Sequence, residues 1–235
     1  MTRELISEAM KHGIVHETGL IAHGRGEAFD YLLGEITIPA ADGAEKVAAA
    51  ALLCAKNPVI SLNGNVAALA ADMCISLANA VPAKLEVNLF HRTPERVKKI
   101  VSLLQKKGVK KVYGLYPDAR IPWLDSDRAL CENDGIFTAD VVLVPLEDGD
   151  RCQALQRMGK TVIAVDLNPL SRTAQTATIT IVDNVTRAVP RIEHWIHRLK
   201  DTKQSDLDKW IKTWDNTKNL AKVMSFLSKR LNSLS

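Results

Sequence analysis

Two loops in this chain gather groups able to hold a polar, phosphorylated or nucleotide ligand. The apolar run Val162 to Val165 stops at Asp166, Asn168, Ser171 and Arg172, and Pro169 stiffens the turn between them. Ile179 to Val182 repeats the pattern and stops at Asp183 and Asn184. Continuous β-branched runs suit parallel strands covered on both faces, and ligands of open α/β sheets sit beyond the carboxyl ends of such strands. Taken singly, either loop is explained as well by an Asx turn.

Further groups sit where strands or apolar runs end. His23-Gly24-Arg25-Gly26-Glu27 places a base-capable imidazole and a phosphate-forking guanidinium among glycines, and reads as a turn. Asn63-Gly64-Asn65 lies between a strand and a helix, where backbone N–H groups receive phosphate. Alone, that triplet is more often a plain turn. His91-Arg92 follow an apolar run, and Arg120 in a long connection is a candidate anion clamp. Glu147, Asp148 and Asp150 with Arg151 form an acidic turn that could hold Mg²⁺ beside phosphates, hold an ammonium, or cap the next helix. There is no G-x-G-x-x-G, no P-loop and no G-x-S-x-G. Any catalysis is therefore expected to rest on positioning and electrostatics rather than a covalent intermediate.

The elements that must carry these groups alternate. Helices are expected over 4–11, from about Glu27 to Leu33 up to Gly34, and over Asp42 to Lys56. From Pro58 onward the pattern reads strand (58–62), helix (66–79), strand (83–89), helix (94–107), strand (111–115). After the irregular stretch 116–136 come strand (139–145), helix (152–158) and the two strands above. Thr93 with Pro94 marks a capped helix start. A helix over 185–200 is expected to be interrupted at Pro190, and 206–231 to hold two helices parting near Asp215. The fold class expected is α/β, a Rossmann-like doubly wound, mainly parallel sheet with additional N- and C-terminal helices. One α/β domain over 1–235 is expected: helices over 1–56, the core over 57–200, helices over 201–235.

Composition narrows the partners. The 235 residues are 46% hydrophobic and 25% charged, ordinary for a globular protein. A net charge of +4 permits an anionic ligand, and only 5% aromatics disfavours a base-stacking surface. Lys and Arg are scattered, so no nucleic acid is expected. Cys54, Cys74, Cys131 and Cys152 form no CxxC pair, which points to reduced thiols, a cytoplasmic location and no zinc site. Residues 1–10 read as a polar amphipathic helix rather than a signal peptide, and no apolar stretch is long enough for a membrane.

Five motifs taken together carry a resemblance. They are GLIAHGRGEAFDY from Gly19, SLNGNVAAL from Ser61, VLVPLEDGDR from Val142, VDLNPLSR from Val165 and IVDN from Ile181. In this order they resemble the archaeal phosphopantothenate synthetases, or 4-phosphopantoate–β-alanine ligases, from about Arg3 to the C-terminal helices. The resemblance implies a homodimeric, ATP-dependent ligase of coenzyme A biosynthesis that releases AMP and diphosphate. It places ATP contacts on Arg3, Arg25, Asp166, Leu167, Asn168, Arg172, Thr173, Asp183 and Asn184.

Position and chemistry supply the other expectations. An acyl-adenylate, then attack by the β-alanine amine, is the expected route, with His23, Arg25, Asn63 and Asp148 as catalytic candidates. His23 or Asp148 would take the amine proton. Asn63, Gly64, Asn65, His91, Arg92, Arg120, Glu147 and Asp150 are the candidates for the two acid substrates, and Mg²⁺ is expected with ATP. Another Rossmann-type nucleotide-dependent enzyme, or a non-catalytic sensor that binds ATP without releasing AMP, are the other readings.

Overall fold

The computed structural model describes residues 2–233. Three helices precede the first strand: α1 (Thr2–Lys11), α2 (Glu17–Leu33) and α3 (Pro39–Cys54). Alternation follows, with β1 (Pro58–Leu62), α4 (Gly64–Ala80), β2 (Lys84–Val87) and α5 (Pro94–Lys106). The long connection carries a short antiparallel pair, β3 (Ala119–Arg120) with β4 (Leu130–Cys131), and turns of helix at Asp127–Ala129 and Asn133–Phe137. Then come β5 (Val141–Pro145), α6 (Gly149–Arg157), β6 (Thr161–Val165), α7 (Arg172–Thr176), β7 (Ile179–Ile181) and α8 (Val185–Leu199). Two helices close the chain, α9 (Gln204–Thr213) and α10 (Asn216–Asn232).

The main sheet has the order β2-β1-β5-β6-β7, and every pair in it is parallel. Its register explains the unbroken apolar runs. Val59, Val142 and Val162 lie side by side and enter one core cluster. Ile60, Leu143, Ile163 and Ile179, one residue further on, enter the other. Both faces are therefore covered, which polar alternation would not allow. Burying each such side chain stabilises the fold by about 1.5–3 kcal/mol before chain entropy is counted. α3 and α4 each pack against α8 on the Ile60 side. α8 faces the core with Val185, Ala188, Val189, Ile192, Ile196 and Leu199, a spacing of one helical face. α6 and the long connection cover the other side through Cys152, Leu155, Ile121 and Ile136.

Two expectations about elements of the core fail. Residues 111–115 form no strand of the sheet but one parallel bridge, Tyr113 to Glu86, with 2.9 Å bonds from Val87 N to Tyr113 O and from Tyr113 N to Leu85 O. Gly114 then turns away at φ +102°, a conformation glycine adopts readily. α8 also runs unbroken through Pro190, which sits on its exposed side and gives up one backbone donor there. The cysteines are unpaired and all but Cys54 are buried. Among the described residues, no helix is long and apolar enough to cross a membrane.

Two buried carboxyls give this fold a pH dependence of one sign, Glu86, pushed up to about 7 by burial, and Glu45. Glu45 on α3 accepts a bond from Arg191 Nε on α8 at 2.9 Å, while its Oε1 is buried without a partner. Burial pushes its pKa up to about 8, and the pull of Arg191 only partly offsets that. Between the ordinary value of 4.5 and about 8 the folded chain holds a proton that the unfolded chain has lost. This group therefore lowers stability as pH rises through that window. Glu45→Gln is expected to flatten the decline, read as the change in urea midpoint between pH 5 and pH 8. An unchanged slope would remove Glu45 as one of its sources.

Candidate active site

The strand order reverses between β1 and β5, the place where open α/β sheets hold ligands. A cleft lies there, and each strand of the main sheet sends residues to it from beyond its carboxyl end. Asn63 follows β1, Leu89 to His91 follow β2, Leu146 follows β5, Leu167 follows β6, and Asn184 with Val185 follow β7. α2 closes the opposite wall with Thr18, Gly19, Ala22, His23, Gly26 and Glu27, which recur every three or four residues along one face.

That wall corrects the reading of His23 to Glu27 as a turn. The whole stretch is helical, and α2 ends only at Gly34, φ +86°. One of its glycines acts by lacking a side chain: a Cβ on Gly19 would overlap Asn65 Oδ1, whereas one on Gly26 would make only an ordinary contact with Leu167 and one on Gly24 would meet open space. At Gly19 the cost of glycine inside a helix, about 1 kcal/mol, is thus set against close packing of α2 on α4. His16 caps the helix, its Nδ1 accepting from Thr18 N at 3.3 Å.

The asparagine loop is also a joint. Asn63 Oδ1 accepts from Val66 N at 3.0 Å and caps α4, while its Nδ2 donates to Leu146 O at 2.8 Å across the switch point. Asn65 Nδ2 donates to Gly19 O at 2.8 Å, fastening α4 to α2. Both amides therefore hold the cleft walls, and both line the cleft.

The acidic turn is the largest departure from expectation. Glu147 is wholly buried between two guanidiniums, with Arg128 Nη1 and Arg151 Nη2 donating to its two oxygens and Arg151 Nε adding a 3.0 Å bond. Burial alone would raise its pKa, but Arg128 and Arg151 outweigh burial and hold it at about 2. Glu147 is therefore unavailable to substrate or metal. Asp148 caps α6 through Arg151 N at 2.9 Å and lies 3.1 Å from Arg128 Nε. Burial, then the charge of Glu147, raises its pKa. Asp150 pairs with Arg172 at the surface. These commitments do not fit an Mg²⁺ cage on this turn, and no cluster of three metal-ligating residues occurs among the described residues. Asp148 and Asp150 line a separate groove with Trp123 and Asp125.

The remaining candidates divide. Leu167, Asn184, His23, Gly64, Asn65 and His91 line the cleft. Asp166 lies beside it in sequence, receiving Ser171 Oγ and, at 2.9 Å, Asn168 N; burial raises its pKa against those bonds and the charge of Arg25. Asn168 Oδ1 accepts from Leu170 N at 2.9 Å. Asp183 is buried under Thr37, Asn184 N and Arg187, and Thr173 donates to Glu147 O at 3.0 Å. Arg3 and Arg25 are exposed at the α1–α2 edge, Arg3 holding Glu27 at 2.9 Å. Arg92 donates to Gly114 O at 2.5 Å and Arg120 to Leu124 O at 3.3 Å, and neither lines the cleft.

Three lining groups were missed. Arg128 arrives from the long connection, where nothing local marks it. Arg96 lies in the first turn of α5, and His16 stacks on His91 with centroids 3.9 Å apart. The cap pattern at Thr93 located α5, and the first turn after a capped strand end was the available signal for Arg96.

Comparison with known proteins gives one answer. The sequence pattern of the family described as phosphopantothenate/pantothenate synthetase matches residues 40–230. A protein of Methanosarcina mazei is 51% identical over 234 residues, covering 100% of this chain and 92% of its own. One of Thermococcus onnurineus is 52% identical, covering 99% and 89%. One of Methanospirillum hungatei is 57% identical over 199 residues, covering 85% and 81%. All three bear the name 4-phosphopantoate–β-alanine ligase.

Proposed function

The chain belongs to the phosphopantothenate/pantothenate synthetase family, and on that premise we propose that it is an ATP-dependent ligase joining 4-phosphopantoate to β-alanine. The products are 4-phosphopantothenate, AMP and diphosphate, a step of coenzyme A biosynthesis. The observation that carries the reading is identity of 51% across the whole chain with a relative of that name. The cleft at the switch point gives it a place to occur.

In this reading ATP lies along the ends of β6 and β7. Asp166, Leu167, Asn168, Asp183 and Asn184 shape that side, and Arg3, Arg25, Arg172 and Thr173 border it. A carboxylate oxygen of 4-phosphopantoate attacks the α-phosphorus, the bond to the β-phosphate oxygen breaks, and diphosphate leaves. The β-alanine nitrogen then attacks the acyl carbon, the bond to AMP breaks, and the nitrogen loses a proton. His23 suits that proton. Its Nε2 is buried, faces Glu27 Oε1 at 3.9 Å and has no hydrogen-bond partner. Arg128, fixed at the cleft by Glu147, is placed to steady charge on transferring oxygens. Mg²⁺ belongs in this reading with the nucleotide and its phosphates.

A homodimer and a cytoplasmic location complete the reading. Ile21, Tyr31 and Ile36 stand exposed along and just after α2, apolar surface that a second copy would cover.

The test is AMP release from ATP with magnesium, omitting 4-phosphopantoate or β-alanine in turn. AMP and 4-phosphopantothenate are expected only with both acids present under turnover. ADP in place of AMP would remove the acyl-adenylate. ATP binding without consumption would favour a sensor.

A further inference from the structure

We propose that the β2 side of the cleft, walled by His16, His91 and Arg96, is a pocket for a phosphate monoester and holds the phosphate of the acid substrate. The inference rests on the ligase reading above and names the subsite that would select a phosphorylated acid over its unphosphorylated form.

Charge is the first argument. These three side chains stand together on one wall, and among the described residues Glu27 is the carboxylate lining the cleft, with Glu17 outside the lining but near enough to His91 to raise its pKa slightly against the other influences. Glu27 lies on the α2 wall, tied to Arg3 at 2.9 Å. The β2 side therefore presents cationic and imidazole groups without a competing carboxylate of the lining.

Arg96 is the second. Its Nη1 donates to His91 O and its Nη2 to Ile14 O at 2.9 Å, so two loops hold the guanidinium still. Its Nε is buried and has no partner. A fixed, desolvated donor without an acceptor is costly unless an anion completes it.

The imidazole pair is the third. His16 and His91 stack at 3.9 Å with planes 19° apart. His16 Nδ1 accepts from Thr18 N at 3.3 Å, which leaves Nε2–H as its donor in the neutral ring. Burial, then the proximity of His16 and Arg96, lowers the pKa of His91. A bound phosphate would reverse that last influence and accept from both rings. The nucleotide's phosphates share this chemistry, but the proposed ATP contacts lie at the other end of the strand row, on β6 and β7.

The test compares His91→Gln and His16→Asn with the wild type, the asparagine keeping the helix cap. Each variant is expected to raise KM for 4-phosphopantoate about tenfold or more, the loss of one charge-assisted bond. KM for ATP should stay within about twofold of wild type, and the preference for 4-phosphopantoate over pantoate should fall by the same factor of about ten. A matching rise in KM for ATP would hand the pocket to the nucleotide and overturn the proposal, as would no change in either KM. Titration with inorganic phosphate, followed by NMR of the histidine ring protons, separates this inference from the function. Saturable shifts of His16 and His91, lost in Arg96→Gln, would support the pocket even if wild-type protein made no 4-phosphopantothenate. Turnover by the wild type with unmoved rings would reject the pocket and leave the ligase standing.

Discussion

Glu147→Ala is expected to cost about 3–5 kcal/mol, because it leaves the buried Arg151 without a carboxylate and Arg128 with Asp148 alone. Arg151 is 1% exposed and Arg128 5%. Arg151 would keep only Ser61 Oγ, at 2.9 Å, as a side-chain acceptor. Set against a total stability of about 5–15 kcal/mol, the loss brings the chain close to unfolding at neutral pH. Glu147→Gln, which keeps the shape and loses the charge, should fall between the variant and the wild type. Urea denaturation reads this as a lower midpoint at unchanged slope. Asp150→Ala breaks only a surface pair with Arg172 and should leave the midpoint where it was. Equal midpoints for Glu147→Ala and Asp150→Ala would reduce the buried triad to a surface feature.

The same carboxylate sets an acid limit. Its folded pKa of about 2 lies below the ordinary 4.5. The stability it contributes is complete above about 4.5 and is lost as pH falls from there through about 2. Glu45 and Glu86 act with the opposite sign above 4.5, since their pKa values are raised. Maximum stability is therefore expected in the mildly acid range where the first contribution is retained and the second penalty is small.

The parts of the fold that could be read along the chain were those governed by neighbours in sequence. β1, β5 and β6 announce themselves as apolar β-branched runs, because burial on both faces removes polar alternation. Thr93 and Pro94 mark α5 because a cap is a local hydrogen bond. The polar strand ends in turn pointed to the edge of the sheet where the cleft lies. What stayed hidden depends on distant partners. Glu147 reads as a metal, ammonium or capping carboxylate until Arg128, nineteen residues earlier, is folded against it. Gly24 and Gly26 read as a turn, since nothing local reveals that α2 runs on through them from Gly19, which presses on Asn65. Residues 111–115 have strand composition, yet only Tyr113 finds a place beside β2 before Gly114 turns the chain.

Another distant contact meets at one backbone position, and Gly64→Ala is expected to lower kcat/KM by about two orders of magnitude, the cost of roughly 1 Å of misplacement at a reacting centre. The fold should survive. A Cβ at Gly64 would stand inside the contact distance of the Ile14 carbonyl oxygen and 3.2 Å from Arg96 Nη2. Neither neighbour can yield alone, because Arg96 Nη2 already holds Ile14 O at 2.9 Å and the same guanidinium holds His91 O. The α1–α2 loop would have to move, and with it the His16 cap and the cleft face of α2. Overpacking of this kind costs about 1–3 kcal/mol, less than the folded state can lose. Gly43→Ala, with open space around its Cβ in α3, is the matched control and should retain activity while gaining about 0.4–1 kcal/mol. Single-turnover AMP formation and thermal unfolding, measured on both variants, decide the matter. If Gly64→Ala turned over like wild type, the cleft walls would not be coupled through Ile14 and Arg96. If it lost activity only in proportion to folded protein, the effect would be one of stability and the geometric argument would fail.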